Sequence, residues 1–404
     1  FFRHWIVDCM QHGSRLFVVD TRVTWMAAHA DIFLQPRPGT DAAVALGICN
    51  IMLQEDLYDK EFCDMWVYGM EALADRAAAY TPEVVEKISW VPAEKIVEAA
   101  RYLGAAGTVA LQWGLPLDQT KWAVGASLAV AAVEVLTGSI DVPGGFVNVK
   151  YGHVQSDIRE NICKGMGKEV REGRLGDGKY ALRTVGFGPH SMGDDILLAM
   201  ETGEPYPIKM GFLCSTNSFI NMAGEAKRVY EAWQKVPFVV VCDLFMTPTA
   251  MACADVVLPA CTYPEKDGLR LGDGLQRGEV INKVTQVGEA KSDAEINLLL
   301  GKRLNPEAWP WDSIEDMLSS MIATTGMTFP ELRDQAPLYL PFEYKRYEKG
   351  LLRADGKPGF NTATGRIELW STFYNQCGLD PMPYFDEPNP GPGATPELMD
   401  EYPY

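Results

Sequence analysis

The sequence predicts a layered α/β protein with mostly parallel, doubly wound sheets in two pseudo-related domains. Three observations lead there. Strand-like apolar runs alternate with helical stretches along most of the 404 residues, the pattern of βαβ units. A chain of that length suits two or three domains of roughly 150 residues each. One strand-and-turn pattern also occurs twice: Leu16-Phe-Val-Val-Asp20, then Thr24, then Ala30-Asp31-Ile-Phe-Leu34, against Phe238-Val-Val-Val-Cys-Asp243, then Thr247, then Ala254-Asp255-Val-Val-Leu258. The two Asp positions stand 11 residues apart in the first copy and 12 in the second. Strand ends built alike suggest two related binding edges.

In chain order, the first residues read as the end of a helix stopped at Gly13. Apolar runs predict strands over 15–20, 108–114, 207–215, 238–243 and 254–260. Apolar residues at i, i+3 and i+4 predict helices over 40–55, 92–106, 121–137 and 225–235, with Pro92 in a first turn where proline is tolerated. After Leu136 the run Thr137-Gly-Ser-Ile-Asp-Val-Pro143-Gly-Gly145 collects turn formers, and a stretch of weak periodicity follows to about residue 205. The expected domains are therefore 1–142, 143–335 and an extended Pro-, Gly- and Tyr-rich segment over 336–404, with Asn389-Pro-Gly-Pro-Gly393 as a linker or wrapping element.

Composition narrows the function. Lys and Arg number 36 against 54 Asp and Glu, a net charge of −18, which argues against a nucleic-acid-tracking surface or anionic lipid. With 47% hydrophobic and 22% charged residues the chain reads as globular. Its longest apolar stretch, 122–133, is too short for a membrane span. Nine cysteines form no CxxC and no Cys/His cluster at ligand spacing, so neither a disulfide framework nor a zinc or iron–sulfur site is visible. Cys214 and Cys242 read as small buried hydrophobes in strands. The Phe-Phe start suggests a piece of something longer or a processed product.

In an open α/β sheet, ligands bind beyond the carboxyl ends of the strands, where Asp20 and Asp243 stand. A carboxylate there can accept two hydrogen bonds from ribose hydroxyls or from the N1–H and N2–H₂ edge of guanine; as plain structure it caps the next helix. The repetition favours the ligand. Arg37-Pro-Gly39-Thr40-Asp41 precedes a long helix, with Thr40 placed as N-cap, Asp41 in the first turn, and Gly39 available for close approach of a ligand to the backbone. Arg22 and Arg37 could serve a diphosphate, or be solvated. The run Gln112–Gln119 offers a Gly-Leu turn for a flat ligand, or plain turn and core. Polar residues from Cys214 to Asn221 end a strand and can satisfy backbone or ligand. No Walker loop, GxGxxG, GxSxG elbow or HExxH helix occurs, which disfavours an NAD- or FAD-dependent enzyme, and none of the five histidines is paired at metal spacing.

The ordered motifs resemble the catalytic subunits of molybdenum oxidoreductases that carry bis(molybdopterin guanine dinucleotide), the dimethyl sulfoxide reductase family. They are Val-Val-Asp20-Thr-Arg22, Ala30-Asp31, Arg37-Pro-Gly-Thr-Asp41, Leu57-Tyr-Asp59, Tyr80-Thr-Pro82, Leu136-Thr-Gly138, Pro143-Gly-Gly145, Asp243-Leu-Phe-Met-Thr247, Ala254-Asp-Val-Val-Leu-Pro259 and Gly365-Arg-Ile-Glu368. Ile88-Ser-Trp90-Val-Pro92, Asp118-Gln119 and Ile140-Asp-Val-Pro143 look most like the branch of acetylene hydratase, pyrogallol transhydroxylase and the catechol dehydroxylases.

The resemblance implies that Asp20, Thr21, Arg22, Gly39, Thr40 and Asp41 hold one guanosine. It places Asn217, Asn221, Cys242, Asp243, Lys266 and Asp293 around the other, with Leu115 and Gln119 touching the cofactor body. It makes 1–142 part of a Rossmann-like guanosine-binding domain, 143–335 a second cofactor-binding domain, and 336–404 a segment leading toward a β-barrel domain. It implies Mo or W, a small-molecule substrate and an iron–sulfur electron-transfer subunit as partner. It also implies a 4Fe-4S segment and a metal-ligating residue, neither recognisable here, so this chain is expected to be the central half of a subunit, without a ligand to the metal. Thr21 stands where Pro is usual, and Ser218 follows Asn217 where Pro is common. Lys150 and Tyr151 fall near the family's substrate side, and a surface strand is the preferred reading for them. A non-catalytic scaffold that lost the metal site is the competing expectation, and the compartment, cytoplasmic or exported, stays open.

Overall fold

The computed structural model describes residues 2–147, 167–182, 190–221, 225–271, 277–339 and 343–402. Two compact units divide the chain: Phe1–Asn148 with Glu343–Tyr404, and Val149–Phe342. Both are mixed α/β with parallel strands, as the sequence predicts. Lys150 and Tyr151 lie outside the described residues.

In the first unit β1 (Phe17–Val19) pairs in parallel with β2 (Ile32–Leu34). Its core is the helix Asp41–Gln54, whose DAAVALGICNIMLQ sequence is apolar all round and therefore buried on every face. Fully burying Leu46 and Met52 contributes roughly 1.5–3 kcal/mol each. The small-residue helix Ala123–Leu136 packs against it, and a side chain at Gly125 would collide with Tyr384. Helices Pro82–Ser89 and Ala93–Gly104 complete the layer.

The segment from 343 packs into this unit, the wrapping alternative of the two its composition suggests, rather than running apart as a linker. Arg346 forms a fully buried two-point ion pair with Asp141, Nη2 to Oδ1 at 2.7 Å and Nε to Oδ2 at 3.1 Å. Tyr347 stacks on Phe360 and meets Trp66 edge-on. Strand β10 (Ile367–Glu368) pairs with β3 (Val67–Tyr68). Arg76 reaches Asp380 at 2.9 Å. Aromatic area and paired charges hold the segment; its Pro and Gly set turns between these anchors.

The second unit holds a parallel sheet of β4 (Gly211–Cys214), β5 (Val239–Asp243) and β6 (Val256–Pro259), in that order. β5, buried at its first four positions, is the central strand. Helix Ala226–Trp233 packs Val229 and Ala232 onto the core. An antiparallel sheet of β7 (Gly268–Leu271), β8 (Arg277–Ile281) and β9 (Leu338–Tyr339) also forms; no sequence signal announced it. The strand expected over 108–114 does not form. Its amides go to side chains instead, Val109 to Ser139 Oγ at 3.0 Å and Leu111 to Glu134 Oε1 at 3.2 Å. With no strand paired to it among the described residues, strand propensity here yields extended chain only.

Candidate functional site

The repeated strand-and-turn pattern is physical, with the same local hydrogen bonds in both units. In the first unit Thr24 caps the helix Trp25–Ala28 by accepting from Ala27 N at 3.2 Å. Asp31 Oδ2 accepts from Leu16 N at 2.8 Å while Asp31 N donates to Leu16 O at 2.8 Å; that bond to Leu16 is the chief reason its carboxyl lies below the usual range. In the second unit Thr247 accepts from Ala250 N at 3.2 Å, Asp255 Oδ2 accepts from Val239 N at 2.8 Å and Asp255 N donates to Val239 O at 2.8 Å. Each copy closes a strand, a turn, a helical turn and the next strand with the same two side chains.

Asp20 Oδ1 accepts from Arg22 N at 3.0 Å, and Asp243 Oδ1 from Leu244 N at 2.7 Å. Each turn is thereby pinned through one oxygen, leaving the second for a ligand. Neither Asp caps a long helix, so the capping alternative does not describe them. Thr21 and Arg22 are exposed beside Asp20, and Thr21 O accepts from Gln35 Nε2 at 3.0 Å. Asp41 opens the buried helix, and burial lifts its carboxyl above the usual range.

Three neighbouring expectations change. Thr40 makes no side-chain cap; its hydroxyl donates to Arg37 O at 2.6 Å. Arg37 is only 8% exposed and is committed to Ile88 O at 3.1 Å and Glu387 at 2.8 Å, so it offers no charge to a diphosphate. Gly39 is required by packing: its φ is +81°, and a Cβ would stand 2.7 Å from Pro388 Cγ. Leu115 is 64% exposed at the start of the short helix Leu115–Asp118, with exposed Gln119 at its end. Behind the extended run that carries them, Glu134 is 4% exposed, and burial pushes its carboxyl up to about 7.

At the second edge Asn217 Oδ1 accepts from Thr249 Oγ1 at 2.7 Å, and that hydroxyl accepts from Phe219 N at 3.2 Å. The amide oxygen is thus committed and the NH₂ remains as the donor. Asn221 is exposed, and Lys266 Nζ lies 5.2 Å from the Tyr263 ring centroid. Cys242 Sγ meets Asp293 Oδ1 at 3.7 Å. Cys214, expected to be buried, is exposed at the end of β4, directly opposite Cys242 in the register. Nothing in the sequence marks Thr249, and Cys214 reads there as a buried hydrophobe rather than an exposed thiol.

Residues 5–303 match the family model described as molybdopterin oxidoreductase. The chain belongs to the molybdopterin oxidoreductase family. It is 28% identical to acetylene hydratase of Syntrophotalea acetylenica over 98% of this chain and 56% of that protein. It is 30% identical to the F420-dependent formate dehydrogenase subunit alpha of Methanocaldococcus jannaschii over 87% of this chain and 50% of that one. The solved structure of acetylene hydratase from Pelobacter acetylenicus superposes with a TM-score of 0.83 at 29% identity, covering 98% of this chain and 57% of that one. The chain thus spans about half the length of the curated relatives it matches. Among the described residues no helix is long and apolar enough to cross a membrane.

Proposed function

We propose that the full-length protein is a molybdenum- or tungsten-dependent enzyme acting on a small molecule, and that this chain supplies the edges holding two molybdopterin guanine dinucleotides. The duplicated edge is the observation that carries this reading: Asp20 and Asp243 each keep one carboxylate oxygen for a ligand after pinning their turns. The donor set fits the group. Carboxylates at Asp20, Asp41, Asp243 and Asp293 suit the paired donors of guanine and ribose, the Asn217 amide offers a donor, and Arg22 and Lys266 supply cations for phosphate. Exposed Thr21 and Asn221 would meet the group at the two edges, half-buried Gly39 and buried Thr40 and Cys242 would support those edges through their backbone, and exposed Leu115 with Gln119 offers an apolar platform and an amide to the flat body of the cofactor.

When bound, the group supplies two-electron or oxygen-atom transfer chemistry at the metal. The residues of this chain bind and orient it. Similarity to acetylene hydratase and to a formate dehydrogenase supports either a hydration or an oxidoreduction as net reaction, the latter needing an iron–sulfur electron-transfer partner and a 4Fe-4S cluster.

The test is to purify the full-length protein natively and measure molybdenum or tungsten together with GMP released by acid hydrolysis. About two GMP per metal atom is expected for the bis-cofactor. Folded full-length protein with neither metal nor guanine nucleotide overturns the reading in favour of a scaffold. Asp243→Ala should lower GMP content severalfold while Glu86→Ala leaves it at the wild-type level; equal content in both variants removes Asp243 from the site.

A further inference from the structure

The run 109–114 is extended with no strand beside it among the described residues, yet its burial alternates as a strand's does: Val109 and Leu111 are half-buried between exposed Thr108, Ala110 and Gln112. Side chains meet the two inward amides. Val109 N donates to Ser139 Oγ at 3.0 Å, and Leu111 N to Glu134 Oε1 at 3.2 Å. Ser139 stays neutral, whereas Glu134 is the single ionisable side chain of the helix Ala123–Leu136 and is buried. Trp113 Nε1 donates to Asp118 Oδ1 at 3.0 Å and ties the run to the helix Leu115–Asp118, which in turn buries Leu117 and packs on Ala123–Leu136. The acceptor that fixes the run and the surface under the platform therefore belong to one helix.

We propose that Glu134 is a positioning residue whose proton governs how firmly the run 109–114 holds the Leu115 and Gln119 platform, and with it how well the full-length protein retains its guanine-nucleotide cofactor. The inference rests on the cofactor reading above. Protonated, the carboxyl is neutral and its carbonyl oxygen accepts from Leu111 N without burying a charge. Above neutrality the proton passes to solvent, since burial holds this carboxyl up at about 7. A buried carboxylate with one backbone donor is poorly compensated. Turning toward water relieves it and releases Leu111 N, so the run loosens as pH rises.

Neighbouring charges do not offset this. The run carries no ionisable side chain. The helix Asp41–Gln54 brings Asp41 at its first turn and Cys49, a thiol that burial pushes up to about 12 and so keeps neutral. The helix Leu115–Asp118 brings Asp118, engaged by Trp113. Beyond the two ends of Ala123–Leu136 stand Tyr384, against Gly125, and Asp59, against Gly138. None of these moves the Glu134 carboxyl, which responds to burial first and to the Leu111 amide second.

The experiment holds natively purified full-length protein at pH 6 and pH 8.5, passes it through gel filtration, and measures the GMP that acid hydrolysis releases. Hydrogen exchange follows the opening constant of the Leu111 amide in the same samples. In the wild type that constant should rise about tenfold between the two pH values, the factor imposed by a carboxyl raised from 4.5 to about 7, and retained GMP should fall severalfold. Glu134→Gln, whose amide oxygen accepts the same bond and never ionises, should keep both at their pH 6 values throughout. Ser139→Ala removes the other acceptor, should loosen Val109 equally at both pH values, and should keep the wild-type pH response, so the test stands even where Glu134→Gln fails to fold. The wild-type response in Glu134→Gln, no response in Ser139→Ala, or a Leu111 response with GMP retention unchanged would each overturn the inference. A flat Leu111 exchange with GMP present removes this inference alone; protein devoid of GMP at both pH values removes the cofactor reading and the coupling together.

Discussion

The edges at Asp20 and Asp243 share their local chemistry and differ in what stands around them. Thr24 and Thr247 cap at 3.2 Å, and Asp31 and Asp255 accept a strand amide at 2.8 Å. Behind Asp20, however, are two strands and a unit clasped by residues 343–402, while Asp243 ends the central strand of three. The first edge gains a buried helix start at Asp41; the second gains the Asn217–Thr249 brace and the Cys214, Cys242 and Asp293 cluster. Short-range side-chain bonds reproduce an edge, and distant neighbours decide what it carries.

The largest effect should come from opening the clasp, which only one edge has. Arg346→Met removes the guanidinium from the buried Asp141 carboxylate, which sits in a left-handed turn (φ +55°) and keeps the backbone N–H of residue 346 at 2.8 Å, and breaking such a pair costs up to about 3–5 kcal/mol. Hydrogen exchange should show β1 and β2 losing protection while β4, β5 and β6 keep theirs. Loss in both units, or in neither, would break the contrast between a clasped edge and an unclasped one.

That contrast also separates what the sequence announces from what it hides. The repeat is legible because its bonds join residues close in the chain, Thr24 to Ala27 and Asp31 to Leu16, and so leave a fixed spacing of residue types. Burial of the helix at 41–54 is legible from its unbroken apolar face. The clasp is not, since Asp141 and Arg346 lie 205 residues apart and neither carries a local sign of its partner. The cysteine cluster is hidden for the same reason: strand register, which spacing does not encode, brings its members together. At 108–114 the strand propensity is real, yet the amides find Ser139 and Glu134. Arg37 looked available for a ligand because Glu387, its partner, is 350 residues away.

A smaller effect distinguishes the supports of the two units by pH. Glu134 accepts from Leu111 N behind the Leu115 platform, and burial raises it from an ordinary 4.5 to about 7. A carboxyl raised on folding favours the folded state below about pH 4.5, and that contribution is lost as pH rises through about 7. Relative to Glu134→Gln, which stays neutral, the wild type should lose up to about 3 kcal/mol between pH 5 and 8. The amide-and-hydroxyl brace at Asn217 and Thr249 does not titrate, so amides around it should show no matching change. The opening free energy of the Leu111 amide, followed by hydrogen exchange in both proteins, reads the difference directly; a pH-independent gap between them would remove Glu134 as the support.

The finest test asks whether the two edges are energetically equal where their geometry matches. Thr24→Ala and Thr247→Ala each remove a cap that accepts at 3.2 Å and should each cost about 1 kcal/mol, agreeing within about 0.5 kcal/mol. Local opening at Ala27 and Ala250 measures both in the same protein. Thr247 is followed by Pro248, whose fixed φ already preorganises the first turn, whereas Thr24 is followed by Trp25. Any inequality should therefore run toward the larger cost at Thr24, where the cap alone starts the helix; a larger cost at Thr247 would mean that the three-stranded sheet, rather than the repeated local bonds, determines how firmly an edge is held.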